Sequence, residues 1–211
     1  MHSTNEEEVA SSRPQQTQPP PQRLVYQSAS LQVGLPEELK AAIQAWSHKH
    51  IPEEMILHVD PLNGDSLGRV DDSHVTLKVG LYEEDFDKVV QLVGDTKALE
   101  IRFNPKRPLH LFSTRRYLVL VANVVPSQEL LRLHHLLSRK LANAFAHQRA
   151  FRPHCTVCYV KREAEEELNR CMLRGKAEFP VVKEGGGVVV ADRLEFVRRD
   201  ASKSIFCLGR T

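Results

Sequence analysis

Two short segments of the chain each place a threonine two residues after a histidine: Thr76 after His74, and Thr156 after His154. An imidazole gives or takes a proton near neutral pH, because its reference pKa is about 6.5. A threonine hydroxyl can donate a hydrogen bond to a non-bridging phosphate oxygen. Two such pairs on opposite sides of a phosphorus atom could supply the base and the acid of an in-line displacement. These residues therefore predict phosphoryl chemistry in one shared cleft.

Both motifs lie in segments that alternate as β-strands do, at residues 74–81 and 154–160. Strict alternation would place Lys78 on the face of the first motif and Cys158 on the face of the second. A single H-x-T motif arises easily by chance, and a lone half-buried histidine is more often structural than catalytic. The motif occurs twice, however, each time on a predicted strand that precedes an acidic helix, and this favours the catalytic interpretation.

Four residues beside the motifs are predicted to bind substrate: Lys78, Arg152, Tyr82 and Phe151. The two cations could bind phosphate oxygens, and the two aromatic rings could stack on a base. A solvated lysine at a strand end and an ordinary surface arginine are the alternatives for the cations. Strict alternation places Tyr159 opposite its motif, which predicts a packing role for that ring.

The Cys155-x-x-Cys158 segment could suggest a zinc or redox site. Alternation would direct these two thiols to opposite faces of a straight strand, and the sequence has no second C-x-x-C to complete a tetrahedral set. The sequence therefore predicts no metal site here.

The elements around the motifs alternate between strand and helix patterns, and both halves repeat the order helix, motif strand, acidic helix and further strands. This repeat predicts an α+β fold with two equivalent halves about a pseudo-twofold axis and one central cleft. Predicted strands cover 24–33, 74–81, 99–103, 109–112, 117–124, 154–160, 187–198 and 204–210, and predicted helices cover 36–50, 83–94, 126–145 and 163–173.

The composition favours one folded domain at 24–211 after a flexible Gln/Pro-rich tail at 1–23, where Pro19 to Pro21 could bind a protein partner. A net charge of +2 gives no indication of a surface that coats a nucleic-acid duplex. The sequence has no apolar run of membrane-spanning length and no signal-peptide core, and its four cysteines are too few for a disulfide framework. We expect a monomer in the cytoplasm or nucleus.

The sequence resembles the two-histidine (2H) phosphoesterases, in particular the branch of 2′,5′ RNA ligases and 2′,3′-cyclic phosphodiesterases. The resemblance covers about residues 24 to 211 and rests on LPEELKAAI, SHVTLKVG, FRPHCTVCYV and VVVADRLEFVRR. It implies a bilobal fold in which two antiparallel sheets line a central cleft with helices outside, and catalysis without a metal or other cofactor. The implied catalytic residues are His74 and His154, with Thr76 and Thr156 on the phosphate. The lysine and cysteines within the motif strands depart from the family pattern.

The predicted function is hydrolysis of a 2′,3′-cyclic phosphate or a 2′,5′ linkage in an RNA end, oligonucleotide or nucleotide. His154 is expected to act as base and His74 as acid. One alternative is 2′,5′ RNA ligation, and another is a module that binds RNA or nucleotides without catalysis. A third is a scaffold recruited through the Pro-rich tail.

Overall fold

The computed structural model describes residues 28–142, 150–183 and 187–209. The predicted tail, the beginning of the first predicted strand and the end of the helix predicted at 126–145 lie outside these ranges. The strands are β1 (Ala29–Gly34), β2 (His74–Leu81), β3 (Leu99–Phe103), β4 (Leu109–Ser113), β5 (Tyr117–Val125), β6 (His154–Lys161), β7 (Val188–Ala191), β8 (Arg193–Val197) and β9 (Lys203–Cys207). The helices are α1 (Glu37–His50), α2 (Phe86–Val93), α3 (Gln128–Lys140), α4 (Glu165–Gly175) and the short α5 (Pro180–Lys183). Within the described ranges, no helix has the length and apolar character needed to cross a membrane.

The described strands form one antiparallel sheet in the order β7-β3-β5-β6-β2-β1-β8-β9, with β4 also paired to β5. The two motif strands, β2 and β6, are neighbours at its centre. They pair directly at Val75 and Cys155, and the sheet divides there into two halves. The predicted bilobal α+β fold is confirmed, with the two sheets joined at this point.

The helices follow the apolar pattern of the sequence. Leu130, Leu133 and Leu137 recur at the spacing of one helix face, and all three are buried. Helix α3 begins at Gln128 because the Ser127 hydroxyl accepts a hydrogen bond of 3.2 Å from the backbone N–H of Leu130. It ends at Lys140, where the next residue adopts an extended conformation, five residues before the predicted end.

The two long helices are exchanged between the halves. Helix α1 precedes β2 in the chain but packs against β6, α4 and α5, whereas α3 precedes β6 but packs against β2 and α2. The Trp46 indole of α1 donates a hydrogen bond of 2.9 Å to the carbonyl of Gly175 at the end of α4. On the other side, Nδ1 of His134 in α3 lies 2.8 Å from the carbonyl oxygen of Leu77 in β2. Each half is therefore covered by a helix that the other half supplies.

Both motif strands contain a β-bulge at the same place, one residue after the threonine. Against β1, Thr76 pairs with Gln32 and Lys78 pairs with Leu31, so that Leu77 is the extra residue. Against β5, Val157 is the extra residue in the same way. An extra residue reverses the alternation beyond it. The shared position of the bulge supports the pseudo-twofold relation between the halves.

The bulges contradict three predictions that assumed strict alternation. Lys78 lies on the core side opposite Leu31, is 4% exposed and does not share the face of the first motif. Cys158 also lies on the core side, on the same face as Cys155. Tyr159 returns to the face of the second motif, because it pairs with Val119.

The segment between α1 and β2 was not assigned to any element from the sequence. It runs beside β6, through isolated bridges of Ile56 with Val160 and of Arg69 with Cys158. The guanidinium of Arg69 donates hydrogen bonds of 2.8 and 2.6 Å to the carbonyls of Ser47 and Ile51. These carbonyls belong to the C-terminal end of α1, so Arg69 anchors the segment there. The Ser47 carbonyl also accepts a hydrogen bond of 3.0 Å from the backbone N–H of Ile51, so the guanidinium is its second donor.

Gly175 permits the close approach of α1 and α4, and we expect Gly175→Ala to destabilise the protein. A Cβ there would lie 2.8 Å from the His50 ring and 2.9 Å from the Trp46 ring. The Trp46 ring is buried and contacts Phe179, so it has little room to move. Overpacking costs about 1 to 3 kcal/mol and outweighs the gain of up to about 1 kcal/mol in helix propensity. Urea unfolding measures the difference. Gly209→Ala, where the nearest atom to a Cβ is 3.9 Å away, is the control. Equal stability of the two variants would contradict the expectation.

Candidate active site

The pairing of β2 with β6 brings the two motifs together. In an antiparallel pair, the residue before Val75 lies beside the residue after Cys155. The first histidine is therefore next to the second threonine, and the second histidine is next to the first threonine. The hydroxyl of Ser73 lies 3.5 Å from the carbonyl oxygen of Thr156, which agrees with this register. The motifs thus form one site across the centre of the sheet.

The two imidazoles are oriented by equivalent hydrogen bonds. Nδ1 of His74 lies 2.8 Å from the carbonyl oxygen of Asp72, and Nδ1 of His154 lies 2.7 Å from that of Arg152. A carbonyl oxygen only accepts hydrogen bonds, so each Nδ1 carries a hydrogen. In the neutral ring Nε2 then has the free lone pair, and in the protonated ring it carries a proton to donate. Both rings are prepared for proton transfer through Nε2.

Burial lowers the pKa of both histidines below the usual value for imidazole. At His154, the hydrogen bond to the Arg152 carbonyl raises the pKa, but the lowering caused by burial is larger. For His74, burial is opposed by the hydrogen bond to the Asp72 carbonyl and by the carboxylates of Asp72 and Glu195, while the charge of Lys203 adds to the lowering. Both rings are therefore predominantly neutral in the free protein at neutral pH.

The His74 half of the site is surrounded by an ion-pair network. Asp72 is bound by Lys40 and Lys203, and Lys203 also donates a hydrogen bond of 2.6 Å to Glu195. Burial raises the pKa of Asp72, but the hydrogen bonds from the two lysines outweigh it and lower that pKa overall. Asp72 is thus held as a carboxylate in the residue whose carbonyl orients the histidine.

The half of the site that contains His154 is lined by aromatic side chains. The ring of Phe112 in β4 contacts the His154 imidazole edge to face, with 4.9 Å between ring centroids. Phe112 contacts His110 in the same way at 5.2 Å. Tyr117 and Tyr159 form a third edge-to-face pair at 5.7 Å. Within the described ranges, no charged side chain shifts the pKa of His154.

The predicted substrate-binding residues are not all near the histidines. Arg152 is exposed directly before the second motif. Phe151 stacks on His134 of α3, with 4.1 Å between centroids and an interplanar angle of 7°, so one face of its ring is covered. Tyr82 follows the far end of β2, on the order of 25 Å from His74 at about 3.3 Å per residue. Lys78 faces the core, where burial lowers its pKa and the nearby Asp85 carboxylate raises it. The substrate-binding roles of Arg152, Tyr82 and Phe151 stay predictions. The role of Lys78 was predicted because its side chain was expected on the face of the first motif, and the structure places it on the other face.

Several residues of the site were missed in the sequence. Gln32, Glu195, Lys203 and Phe112 come from β1, β8, β9 and β4, which reach the motif strands only through the sheet pairing. No local spacing connects them to the histidines. The one available signal was that Gln32 and Glu195 each lie between two apolar residues of a strand.

The cysteines of β6 are buried and protonated. Burial raises the pKa of both Cys155 and Cys158 to about 12. Although the bulge places both thiols on one face, the described residues contain no group of three or more His, Cys, Asp and Glu side chains that could hold a metal ion. All four cysteines of the chain are free thiols.

Comparisons with known proteins identify relatives of the fold. A search of curated proteins finds no match to the sequence. Among solved structures, E. coli LigT in its apo form aligns with 87% of this chain and 98% of its own, at 18% identity and a TM-score of 0.56. Usb1 of Kluyveromyces marxianus with uridine monophosphate aligns with 85% of this chain and 97% of its own, at 10% identity and a TM-score of 0.52. These likenesses show the fold.

The sequence also matches a family directly. Residues 35–203 match the 2′-5′ RNA ligase superfamily. That range contains both motifs, the central strand pair and both exchanged helices. The chain therefore belongs to the 2′-5′ RNA ligase superfamily of 2H phosphoesterases.

Proposed function

We propose that the protein hydrolyses 2′,3′-cyclic phosphates or 2′,5′-phosphodiester linkages of RNA ends, oligonucleotides or nucleotides, using its two histidines and no metal. The observation that carries the proposal is the pair of imidazoles on neighbouring strands, each with Nδ1 engaged by a carbonyl and Nε2 available. The family match supports phosphoester chemistry. A neighbouring LigT structure contains 3′-AMP, and the Usb1 structure contains uridine monophosphate, which supports a nucleotide substrate.

In the proposed reaction on a cyclic phosphate, Nε2 of His154 takes a proton from water as the water oxygen attacks phosphorus. The bond from phosphorus to one ribose oxygen breaks, and the protonated Nε2 of His74 gives its proton to that oxygen. The product is a nucleoside monophosphate. The hydroxyls of Thr76 and Thr156 donate hydrogen bonds to the non-bridging oxygens, where negative charge increases in the transition state.

We propose the assignment of acid and base from the charged groups that surround the two rings. The acid must be protonated when the reaction starts, although burial favours the neutral form of both. The carboxylates of Asp72 and Glu195 favour the protonated form of His74 and the charge of Lys203 opposes it, whereas no charged side chain of the described residues acts on His154. A phosphate anion in the cleft would favour protonation further. His74 is therefore the proposed acid.

Ligation is a second candidate, supported by the family match. A ribose 5′-hydroxyl of a second RNA would replace water as nucleophile, and the same histidines would move the protons. The two reactions are distinguished by supplying a 2′,3′-cyclic phosphate end with and without a 5′-hydroxyl end. A 2′,5′-joined product would establish ligation. We further propose that the protein acts as a monomer in the cytoplasm or nucleus. Its four free thiols are in keeping with a reducing compartment.

His74→Ala and His154→Ala should each lower kcat by about two or more orders of magnitude, because each removes one proton transfer. The assay uses 2′,3′-cyclic nucleotides and a 2′,5′-linked oligoadenylate in excess EDTA, which should not change the wild-type rate. His135→Ala is the matched control, since this exposed histidine lies on α3, away from the site. A wild-type rate in either active-site variant would refute the mechanism. Binding without turnover by the wild type would favour the binding-module alternative.

Thr76→Val and Thr156→Val should each weaken transition-state stabilisation by about 1 to 3 kcal/mol, because each removes one hydrogen-bond donor to the phosphate. Valine retains the branched shape of the side chain, and both threonines are only partly buried. The effect is measured as a fall in kcat/KM. A thermal melt on each variant separates this loss from loss of the fold. Unchanged kcat/KM in both variants would exclude the threonines from phosphate binding.

The value of kcat/KM should be greatest below pH 6.5. Catalysis needs one neutral and one protonated histidine, and this form is most abundant midway between the two pKa values. Burial lowers both pKa values below the ordinary histidine value of about 6.5. When the pH rises above the two pKa values, the acid loses its proton. When the pH falls below them, the base becomes protonated. Either change lowers kcat/KM. Bound phosphate should move the optimum of kcat to higher pH. An optimum of kcat/KM above pH 6.5 would contradict this expectation.

A further inference from the structure

The extra residue of each bulge has a backbone carbonyl that a different kind of group satisfies in each motif strand. In β6, the carbonyl oxygen of Val157 accepts a hydrogen bond of 3.0 Å from the backbone N–H of Val70. Val70 lies four residues before His74, in the segment that runs beside β6. In β2, the equivalent carbonyl is that of Leu77, and Nδ1 of His134 lies 2.8 Å from it. A side chain of α3 therefore takes the place that a backbone donor has in the other half.

The segment before the second motif is anchored at two points. At its first anchor, the ring of Phe151 stacks on the His134 imidazole, with 4.1 Å between ring centroids and 7° between the planes. At its second anchor, the carbonyl oxygen of Pro153 accepts a hydrogen bond of 3.3 Å from a backbone N–H of β5. Arg152 lies between the two anchors, and because it precedes a proline, its backbone is restricted to extended conformations. Its carbonyl is the one that orients His154.

The equivalent segment before the first motif is held in a different way. Asp72, whose carbonyl orients His74, is bound through its carboxylate by Lys40 and Lys203. Arg152 occupies the equivalent position in the other half, and its side chain is exposed. The position of the Arg152 carbonyl is therefore set by the anchors on either side of it.

We propose that His134 is a positioning residue for the catalytic base, His154. Its ring holds Phe151 in place and, through the backbone, the carbonyl of Arg152. The inference rests on the proposed function, in which Nε2 of His154 takes a proton from the nucleophile. A neutral imidazole carries one hydrogen, and the hydrogen bond made by one nitrogen decides which nitrogen carries it. Without the carbonyl, part of the population would carry the hydrogen on Nε2, and that form cannot accept a proton there.

The two contacts of the His134 ring can be separated by substitution. Nδ2 of asparagine is bonded to Cγ, as Nδ1 of histidine is, so His134→Asn keeps a donor for the Leu77 carbonyl but removes the ring. His134→Phe keeps a ring for Phe151 but leaves the carbonyl of a buried residue without this donor. The loss of a buried hydrogen bond lowers stability. The stacking contact should therefore control the rate, and the hydrogen bond should control the stability.

NMR of the histidine ring nitrogens, at a pH where the rings are neutral, distinguishes the two tautomers of His154 in the free protein. His134→Asn and Phe151→Ala should each increase the fraction with the hydrogen on Nε2. They should also lower kcat about tenfold or more, because a small misplacement of a reacting group is costly. His134→Phe should leave the tautomer and kcat unchanged and lower the urea midpoint of unfolding. His135→Ala, at the adjacent position of α3, is the matched control and should change none of these values.

Two outcomes would overturn the proposal. An unchanged tautomer in both His134→Asn and Phe151→Ala would mean that the stack does not position the carbonyl, whatever the rate. Equal falls of kcat in His134→Asn and His134→Phe would mean that the residue only supports the fold. Phe151→Ala keeps the hydrogen bond to Leu77, so it provides the test if His134→Asn does not fold.

The tautomer is measured without substrate, so contacts between Phe151 and a substrate cannot account for a change. If the tautomer changes as expected while the wild type hydrolyses no cyclic phosphate, the proposed reaction fails and the positioning of His154 by His134 stands. If the wild type turns over and the tautomer does not change, the proposed reaction stands and the positioning role fails.

Discussion

The contact between Val75 and Cys155 at the centre of the sheet is the constraint on which the site depends. Both side chains are fully buried, so the two motif strands are held by apolar packing and by their backbone pairing. The residues on either side of this contact are the histidines and threonines. A slip of either strand by one residue in this pairing would turn its motif into the core and away from the other motif, because side chains alternate between faces. The catalytic geometry is thus a consequence of core packing.

The two histidines occupy equivalent backbone positions but are surrounded by different side chains. The backbone carbonyls before His74 and His154 orient both rings in the same way, and the bulges after the threonines occupy equivalent positions. The side chains that surround the rings have diverged, to an ion-pair network on one side and aromatic rings on the other. A reaction that needs one acid and one base can use this difference, because identical environments would give the rings equal proton affinity.

The sequence predicted the motif strands and most of the order of elements, because these depend on local periodicity and on a repeated motif. The single strand predicted at 187–198 was wrong, since the structure has two strands there, β7 paired with β3 and β8 paired with β1. The catalytic roles of the two histidines stay predictions. The sequence did not predict the bulges, since one extra residue in a strand leaves a short apolar pattern almost unchanged. The placements of Lys78, Cys158 and Tyr159 were therefore wrong. Phe112 and Glu195 were missed for a different reason. They reach the site through pairings between strands far apart in the chain, and one sequence contains no signal for those pairings.

Because α1 and α3 are exchanged between the halves, the N-terminal half cannot finish folding while the chain is being synthesised. When β2 leaves the ribosome, the helix that covers it has not been synthesised, and α1 has no β6 to pack against. The N-terminal half therefore cannot complete its core during translation, even though it is long enough to be a small domain. Its apolar surfaces stay exposed until the second motif strand emerges, a period in which aggregation or chaperone binding competes with folding. Circular permutants that begin at β5 would face the same delay from the opposite side.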